Sequence, residues 1–415
     1  MKRLFLISGA FFLIVITTGI AFIFHYTNLR PILLPPPRDI GDVINGTEYP
    51  LTLPDGFEIG IYARDLGRPR VMIRDSRGYV VASLLDRGEV VVLPDENHDG
   101  VADQVITILS GLNRPHGLAM RCVSRCELLV AETDKVVAYN YVSSPDFSNI
   151  HAAFSRKLID LPSRGNHTTR TLGWLPGAEF TKLLVSIGST CNVCREENPQ
   201  RAAIYVYDFS DQSFTPFAAG LRNTVFFTVN PIDGSLWGTD MGRDLLGDDT
   251  PPDEINVISS PSLSSGQNSA VPNFGWPTCY GKNIHDTQFD KNTYIRNPCM
   301  EPFEIGSHID IPAHSAPLGL AFIPEESFWP EEYWLDLLVA YHGSWNRAVP
   351  TGYKIVRMKL DHQGNFEGVE DFISGWLQTD NTALGRPVDV LFGNGGELFI
   401  TDDKAGVIYR VVYGG

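Results

Sequence analysis

Positive charge is in short supply in this 415-residue chain: 33 Lys and Arg face 49 Asp and Glu, for a net charge of -16 and a pI near 5.0. A surface that grips nucleic acid needs clustered Lys and Arg on one exposed face, so this composition argues against that class of partner. Cysteine is sparse as well, at 6 residues. Cys191-Asn-Val-Cys194 has no second Cys-x-x-Cys to complete a zinc site. The apolar run Leu4–Phe24 contains no charge, and no small-x-small cleavage site follows it. Its length matches a bilayer-spanning helix of about 20 residues. Lys2 and Arg3 before it predict that the remainder lies on the outer side, periplasmic or extracellular.

What is present is a repeat. Six lead-ins rich in Arg, Pro or Gly recur between residues 66 and 415: Gly67-Arg68-Pro69-Arg70, Asn113-Arg114-Pro115-His116, Thr169-Arg170-Thr171, Leu221-Arg222-Asn223, Ser315-Ala316-Pro317 and Gly385-Arg386-Pro387. Each precedes an apolar strand, a turn and a second apolar strand, such as Leu128-Leu129-Val130 or Leu337-Leu338-Val339. Several short strands per unit, at a spacing of roughly 45–60 residues, predict a six-bladed all-β propeller. The 38 Gly and 28 Pro suit such a turn-dense chain. Equivalent positions of all blades meet at one axis, so the arginines of five lead-ins predict a cationic ring at the channel mouth. In an acidic chain, that ring is suited to a small polyanion. The expected organisation is a basic end and membrane anchor over 1–30, a Pro-rich linker over 31–50 and the propeller over 51–415.

The cysteines fall in near pairs, Cys122/Cys126, Cys191/Cys194 and Cys279/Cys299, which in an exported chain predicts three disulfides. Asn45-Gly-Thr and Asn166-His-Thr are glycosylation sequons. Asp95, Asn97, Asp99 and Asp103, with Gly100 at the bend, space oxygen donors at alternate positions and read as a shortened calcium loop. Arg222 and Asn223 would suit the carboxylates and carbonyl of a flat acidic quinone. The Met241-Gly242-Arg243 backbone then turns beside that place and can offer carbonyl oxygens to calcium.

Ordered motifs carry a family resemblance over residues 52–413: LPDGFEI, NRPHGLA, NHTTRTLGW, SIGSTCNVC, GLRN, DEIN, NFGWP, HGSWNR, GRPVDV and ITDDKAGVIYRV. The chain resembles the soluble pyrroloquinoline quinone (PQQ)-dependent sugar dehydrogenases, more closely the glucose/sorbosone dehydrogenase branch. The resemblance implies a six-bladed propeller that binds PQQ and Ca2+, oxidises a small sugar and passes electrons to an acceptor the sequence does not name. It implies His167 as the general base, Arg222, Asn223 and Arg386 as cofactor contacts, and the carbonyls of Gly242 and Arg243 as calcium ligands. A neutral imidazole suits the base role because its pKa lies near neutrality. His116 and Arg170, at the equivalent phase of their units, are further candidates for cofactor contact, and Arg347 is the candidate to replace a lysine of the glucose-oxidising members. Trp276 and Trp345 are candidate stacking surfaces.

Three departures stand out. Val388 occupies the place of a second arginine, the loop from Arg243 to Asp253 is long and acidic, and Ser259–Ala270 adds a Ser-rich loop. Two other functions compete with the dehydrogenase reading. A calcium-dependent lactonase would hold a central metal with side chains, which the arginines oppose. A surface-binding propeller without catalysis would have no use for His167 beside a cationic ring, though a fold alone never excludes it.

Overall fold

The computed structural model describes residues 28–33, 46–259, 271–302, 304–325 and 328–414. The apolar run Leu4–Phe24, most of the linker, the Asn45 sequon and residues 260–270 of the Ser-rich stretch lie outside the described residues. Among those described, no helix is long and apolar enough to cross a membrane.

Six four-stranded antiparallel sheets follow one another along the chain. A leading strand β1 (Phe57–Ala63) precedes blade one: β2 (Pro69–Arg74), β3 (Val80–Leu84), β4 (Glu89–Leu93) and β5 (Ile106–Leu109). Blade two is β6 (Leu118–Cys122), β7 (Cys126–Ala131), β8 (Lys135–Val142) and β9 (His151–Asp160). Blade three is β10 (Arg170–Trp174), β11 (Lys182–Ile187), β12 (Ala203–Asp208) and β13 (Phe214–Ala219). Blade four holds β14 (Phe227–Val229), β15 (Leu236–Asp240) and β16 (Asp253–Ser259), then an excursion with the hairpin β17 (Cys279–Tyr280) and β18 (Ile284–His285), and finally β19 (Ile309–Ile311). Blade five is β20 (Pro317–Phe322), β21 (Leu337–Tyr341), β22 (Lys354–Leu360) and β23 (Phe366–Ile373). Blade six is β24 (Pro387–Phe392), β25 (Leu398–Asp402) and β26 (Val407–Tyr413), and β1 completes it by pairing with β26 from Phe57↔Tyr413 onward. The first strand thus closes the ring on the last, which leaves no open sheet edge between the ends.

Burial follows position in the blade. Second strands are covered on both faces by neighbouring blades, so β3, β15, β21 and β25 are buried at every residue. Fourth strands face water on one side, and β9 is mostly exposed or half-buried. Where inner strands converge, backbones touch: a Cβ on Gly117 would lie 2.5 Å from the Arg170 carbonyl. Hydroxyls then staple blade to blade. Ser83 donates to the His116 carbonyl (2.8 Å), Thr239 to that of Leu318 (2.8 Å), Thr401 to that of Arg70 (2.8 Å), and Ser186 to that of Thr224. All three expected disulfides form.

Candidate active site

Inner strands begin at one end of the axis, here called upper, and the loops joining second to third strands open at that same end. The lead-ins are held there by carboxylates at the ends of the second strands. Asp240 accepts the backbone N–H of Arg222 (2.9 Å) and of Asn223 (2.6 Å), Asp402 that of Arg386 (2.8 Å), Asp86 that of Arg68 (3.0 Å) and Glu132 that of Asn113 (2.5 Å). The recurring lead-in is therefore an anchored loop, and its side chains are aimed by the blade beneath.

On the side of blades three and four, His167 Nδ1 lies 3.1 Å from the Ser189 carbonyl and 2.9 Å from its hydroxyl. A carbonyl only accepts, so Nδ1 carries the proton and Nε2 keeps a lone pair. Burial, then the Arg222 and Arg201 guanidinium groups, push this imidazole down to about 3. It is neutral across the physiological range. Gly188 lets the base approach its neighbour, since a Cβ there would meet Asn223 Oδ1 at 2.5 Å and His167 Cβ at 2.6 Å. Arg222 is buried and held through all three nitrogens: Nε to the Asn192 carbonyl (2.9 Å), Nη1 to the Met241 carbonyl (3.2 Å), and Nη2 to Asn192 Oδ1 (2.9 Å) and Asp244 (3.2 Å). Asn192 belongs to the disulfide-closed turn Cys191–Cys194 and also accepts the Asp244 N–H (2.7 Å).

Blades five, six and one supply the other side. Asp403, which follows β25, accepts from Arg70 (2.8 Å) and from Arg68 (3.4 Å) on one oxygen and contacts His342 Nε2 (2.9 Å) with the other. Burial pushes the Asp403 carboxyl up, but His342 and the Arg70 and Arg386 guanidinium groups outweigh it and hold it well below the carboxylate range. His342 is pushed down to about 4 by burial and Arg386, so the pair is a neutral imidazole donating to a carboxylate. Arg386 donates to the carbonyls of His342 (3.0 Å) and Gly343 (2.9 Å). From sequence the Asp402-Asp403-Lys404 stretch reads as either a top-face cluster or a plain turn, and HGSWNR gives His342 no role; the lead-in phase that singles out the arginines ignores the ends of second strands, where both lie.

Three expected contacts, Arg347, Arg170 and His116, fall elsewhere. Arg347 belongs to the rim, bound to the Asp248 carbonyl (2.6 Å) and the Asp249 carboxylate (2.9 Å), and His342 takes the place at the mouth in blade five. Arg170 is wholly buried and gives its guanidinium to the carbonyls of Pro162 (2.7 Å), His167 (3.0 Å) and Thr169 (2.6 Å). It holds the His167 loop from below rather than presenting charge to the mouth. His116 is also fully buried, with Nδ1 3.2 Å from the Arg170 carbonyl and Nε2 without a partner. Of the five lead-ins that carry arginine, three bring theirs to the mouth, as Arg68, Arg70, Arg222 and Arg386; Arg170 is spent below and Arg114 is exposed at positive φ.

Beside Arg222 the Gly242 N–H is fixed by Asp253 (2.9 Å), and among the described residues no hydrogen bond reaches the Gly242 or Arg243 carbonyls. A cavity of about 20 Å³ adjoins them, lined by Gly220, Asp240, Glu254, Trp276 and Asp286 among others. It is large enough for one ion or water. Burial pushes Asp240 and Asp253 up to about 7 and Glu254 up to about 8, so a cation there would displace protons from the carboxyls beneath it. The donor chemistry fits calcium at Gly242 and Arg243. The mouth likewise fits a planar polycarboxylate: guanidinium groups flank it, Asn223 adds an amide, and buried Arg70 Nε lacks a partner.

The Asp95–Asp103 loop joins β4 to β5 within blade one, at the lower end, remote from the mouth. Each of the four residues commits one oxygen to the loop itself: Asp95 takes the Gly100 N–H (3.1 Å), Asn97 that of Asp99 (2.9 Å), Asp99 that of Val101 (2.9 Å) and Asp103 that of Glu96 (2.8 Å). Asp95 Oδ1 is buried without a partner. Among the described residues the one compact group of potential metal ligands is Cys191, Cys194 and Glu196, whose sulfurs are bonded to each other.

The TrAA12-like family model matches residues 51–414. An uncharacterized protein of Borreliella burgdorferi is 30% identical over 370 residues, covering 88% of this chain and 91% of that protein. A pyrroloquinoline quinone-dependent pyranose dehydrogenase of Coprinopsis cinerea is 23% identical over 88% of this chain, and the match spans about half, 54%, of that longer relative. The calcium structure of a Trichoderma reesei carbohydrate-active enzyme of family AA12 superposes with a TM-score of 0.73 at 22% identity, covering 91% of this chain and 99% of that one.

Proposed function

The chain belongs to the TrAA12-like family, and on that premise we propose that it is a membrane-anchored, PQQ-dependent dehydrogenase that oxidises an aldose or related sugar alcohol. The observation that carries this reading is a neutral imidazole beside a cationic mouth. His167 has its Nδ1 proton committed to Ser189 and its Nε2 lone pair unspent, next to Arg222 and Asn223.

When bound, the quinone supplies the two-electron acceptor for the hydride of the substrate C–H, with calcium polarising it. The protein's own part is to bind, orient and take a proton. Arg222, Arg386 and Arg70 supply positive charge for the quinone carboxylates, and Asn223 an amide. Gly242 and Arg243 would hold the metal through carbonyl oxygens. His167 Nε2 takes the hydroxyl proton as the adjacent C–H bond breaks. Burial is the larger cause of the depressed imidazole and Arg222 the next, so an anion beside Arg222 offsets only that second part, and His167 stays neutral and able to accept a proton.

The test uses the purified full chain titrated with PQQ and calcium, followed by quinone absorbance and then by dye reduction across a panel of aldoses. Calcium-dependent, stoichiometric binding with sugar-driven bleaching is expected. No binding at micromolar quinone would remove the dehydrogenase reading and favour a surface-binding propeller.

A further inference from the structure

We propose that the upper face of the propeller, which bears the cofactor mouth, lies against the lipid bilayer into which Leu4–Phe24 inserts. The inference rests on the reading of that run as an anchor and adds which face it draws inward.

Residues 28–33 are docked on the upper face. The Asn28 N–H donates to the Arg347 carbonyl (3.1 Å), Lys404 Nζ donates to the Ile32 carbonyl (3.4 Å), and Pro31 is buried. Arg347 lies in the β21–β22 loop and Lys404 in the β25–β26 loop, both of which open at the upper end beside His342 and Asp403. Four residues carry the chain from Phe24 to Asn28, at most about 14 Å even when fully extended. A docking point this close to the end of the span leaves the opposite face no way to turn toward the membrane. Residues 31–33, where the Pro-rich linker begins, already lie on the propeller.

The rim around that docking point suits a lipid interface. Leu33, Leu245, Trp345 and Val349 are 70%, 64%, 40% and 69% exposed, all in upper-end segments. Single exposed apolar residues are ordinary on a soluble surface. These four share the face on which residues 28–33 dock, and a Trp belongs at the headgroup level. At the same rim Asp249 pairs with Arg347 (2.9 Å), and the Asp248 carboxylate takes the Ala348 N–H (3.1 Å).

The experiment places a fluorophore on single cysteines introduced as Val349→Cys, Trp345→Cys or, at the lower β6–β7 turn, Val123→Cys, in the full chain reconstituted into neutral phosphatidylcholine vesicles. Nitroxide-labelled phosphatidylcholine is the quencher, and alkaline carbonate extraction is run in parallel. Retention in the membrane with severalfold loss of emission at 349 and 345, and little at 123, is the expected result. Replacing residues 28–33 with a Gly-Ser segment should then abolish the difference between faces. Retention with unquenched or uniformly quenched labels overturns the facing while sparing the anchor. Release by carbonate overturns both.

Discussion

Asp403 Oδ1 stands 2.9 Å from His342 Nε2 while its other oxygen takes the Arg70 guanidinium at 2.8 Å. One buried carboxylate thus joins blades five, six and one at the mouth. Asp403→Asn would leave Arg70 buried without its counter-charge, and breaking such a pair costs about 3–5 kcal/mol. Denaturant unfolding of the variant should show a loss of that order, with a smaller one for His342→Gln. Equal stabilities would mean that the ion pair does not hold these blades together.

His167→Ala should lower kcat by about 10²–10⁴-fold, the usual worth of a positioned base, and leave quinone affinity close to the parent value. Because the imidazole of the free protein titrates at about 3, kcat/KM should show no histidine limb between pH 5 and 8. A limb near 6.5 that vanishes in the variant would assign the base to a different ionisation state.

Asn192 is a positioning residue for Arg222, which it meets through both its carbonyl and its side chain. Asn192→Ala should weaken quinone binding several-fold with kcat nearly unchanged at saturating quinone, and Arg222→Ala should weaken it further. If kcat falls and affinity does not, Asn192 acts on the chemistry instead.

Stability should depend on pH with a definite sign. Asp240, Asp253 and Glu254 have folded pKa values near 7, 7 and 8 against ordinary carboxylate values near 4, so the native state holds extra protons between those limits. Their contribution is lost as pH rises through the folded values. The depressed histidines act oppositely, but only below about 6.5, where the unfolded chain protonates first. With metal chelated, Tm should therefore fall between pH 6.5 and 8.5. Glu254→Gln should flatten that fall by about 2 kcal/mol. Its new amide can donate to Asn256 Oδ1, which has no partner, once the Asn256 side chain turns over. Calcium should raise Tm more at pH 8 than at pH 6; an equal effect at both would place the metal away from these carboxylates.

Asp99→Ala should leave quinone binding intact, since the Asp95–Asp103 loop lies at the lower end. Any calcium-dependent gain in Tm that survives in this variant belongs to the Gly242 site, and any that disappears belongs to the loop.

The repeat was legible in the chain because a propeller imposes the same burial on each blade. A second strand between two neighbours is apolar over most of its length, as Leu337–Tyr341 is, and a lead-in must turn sharply at the axis, as Gly385-Arg386-Pro387 does. The arginine phase followed from the same symmetry, and the cysteine pairs were close enough in sequence to join. What each arginine does was not legible, because it depends on which carbonyls and carboxylates neighbouring blades bring within 3 Å. Arg170 and Arg222 occupy like phases, yet one is consumed by its own loop and the other lines the mouth. Closure of the ring by Phe57–Ala63 and the pairing of His342 with Asp403, 61 residues apart, were decided only by tertiary structure. Contacts between blades join residues whose separation along the chain carries no periodic signal.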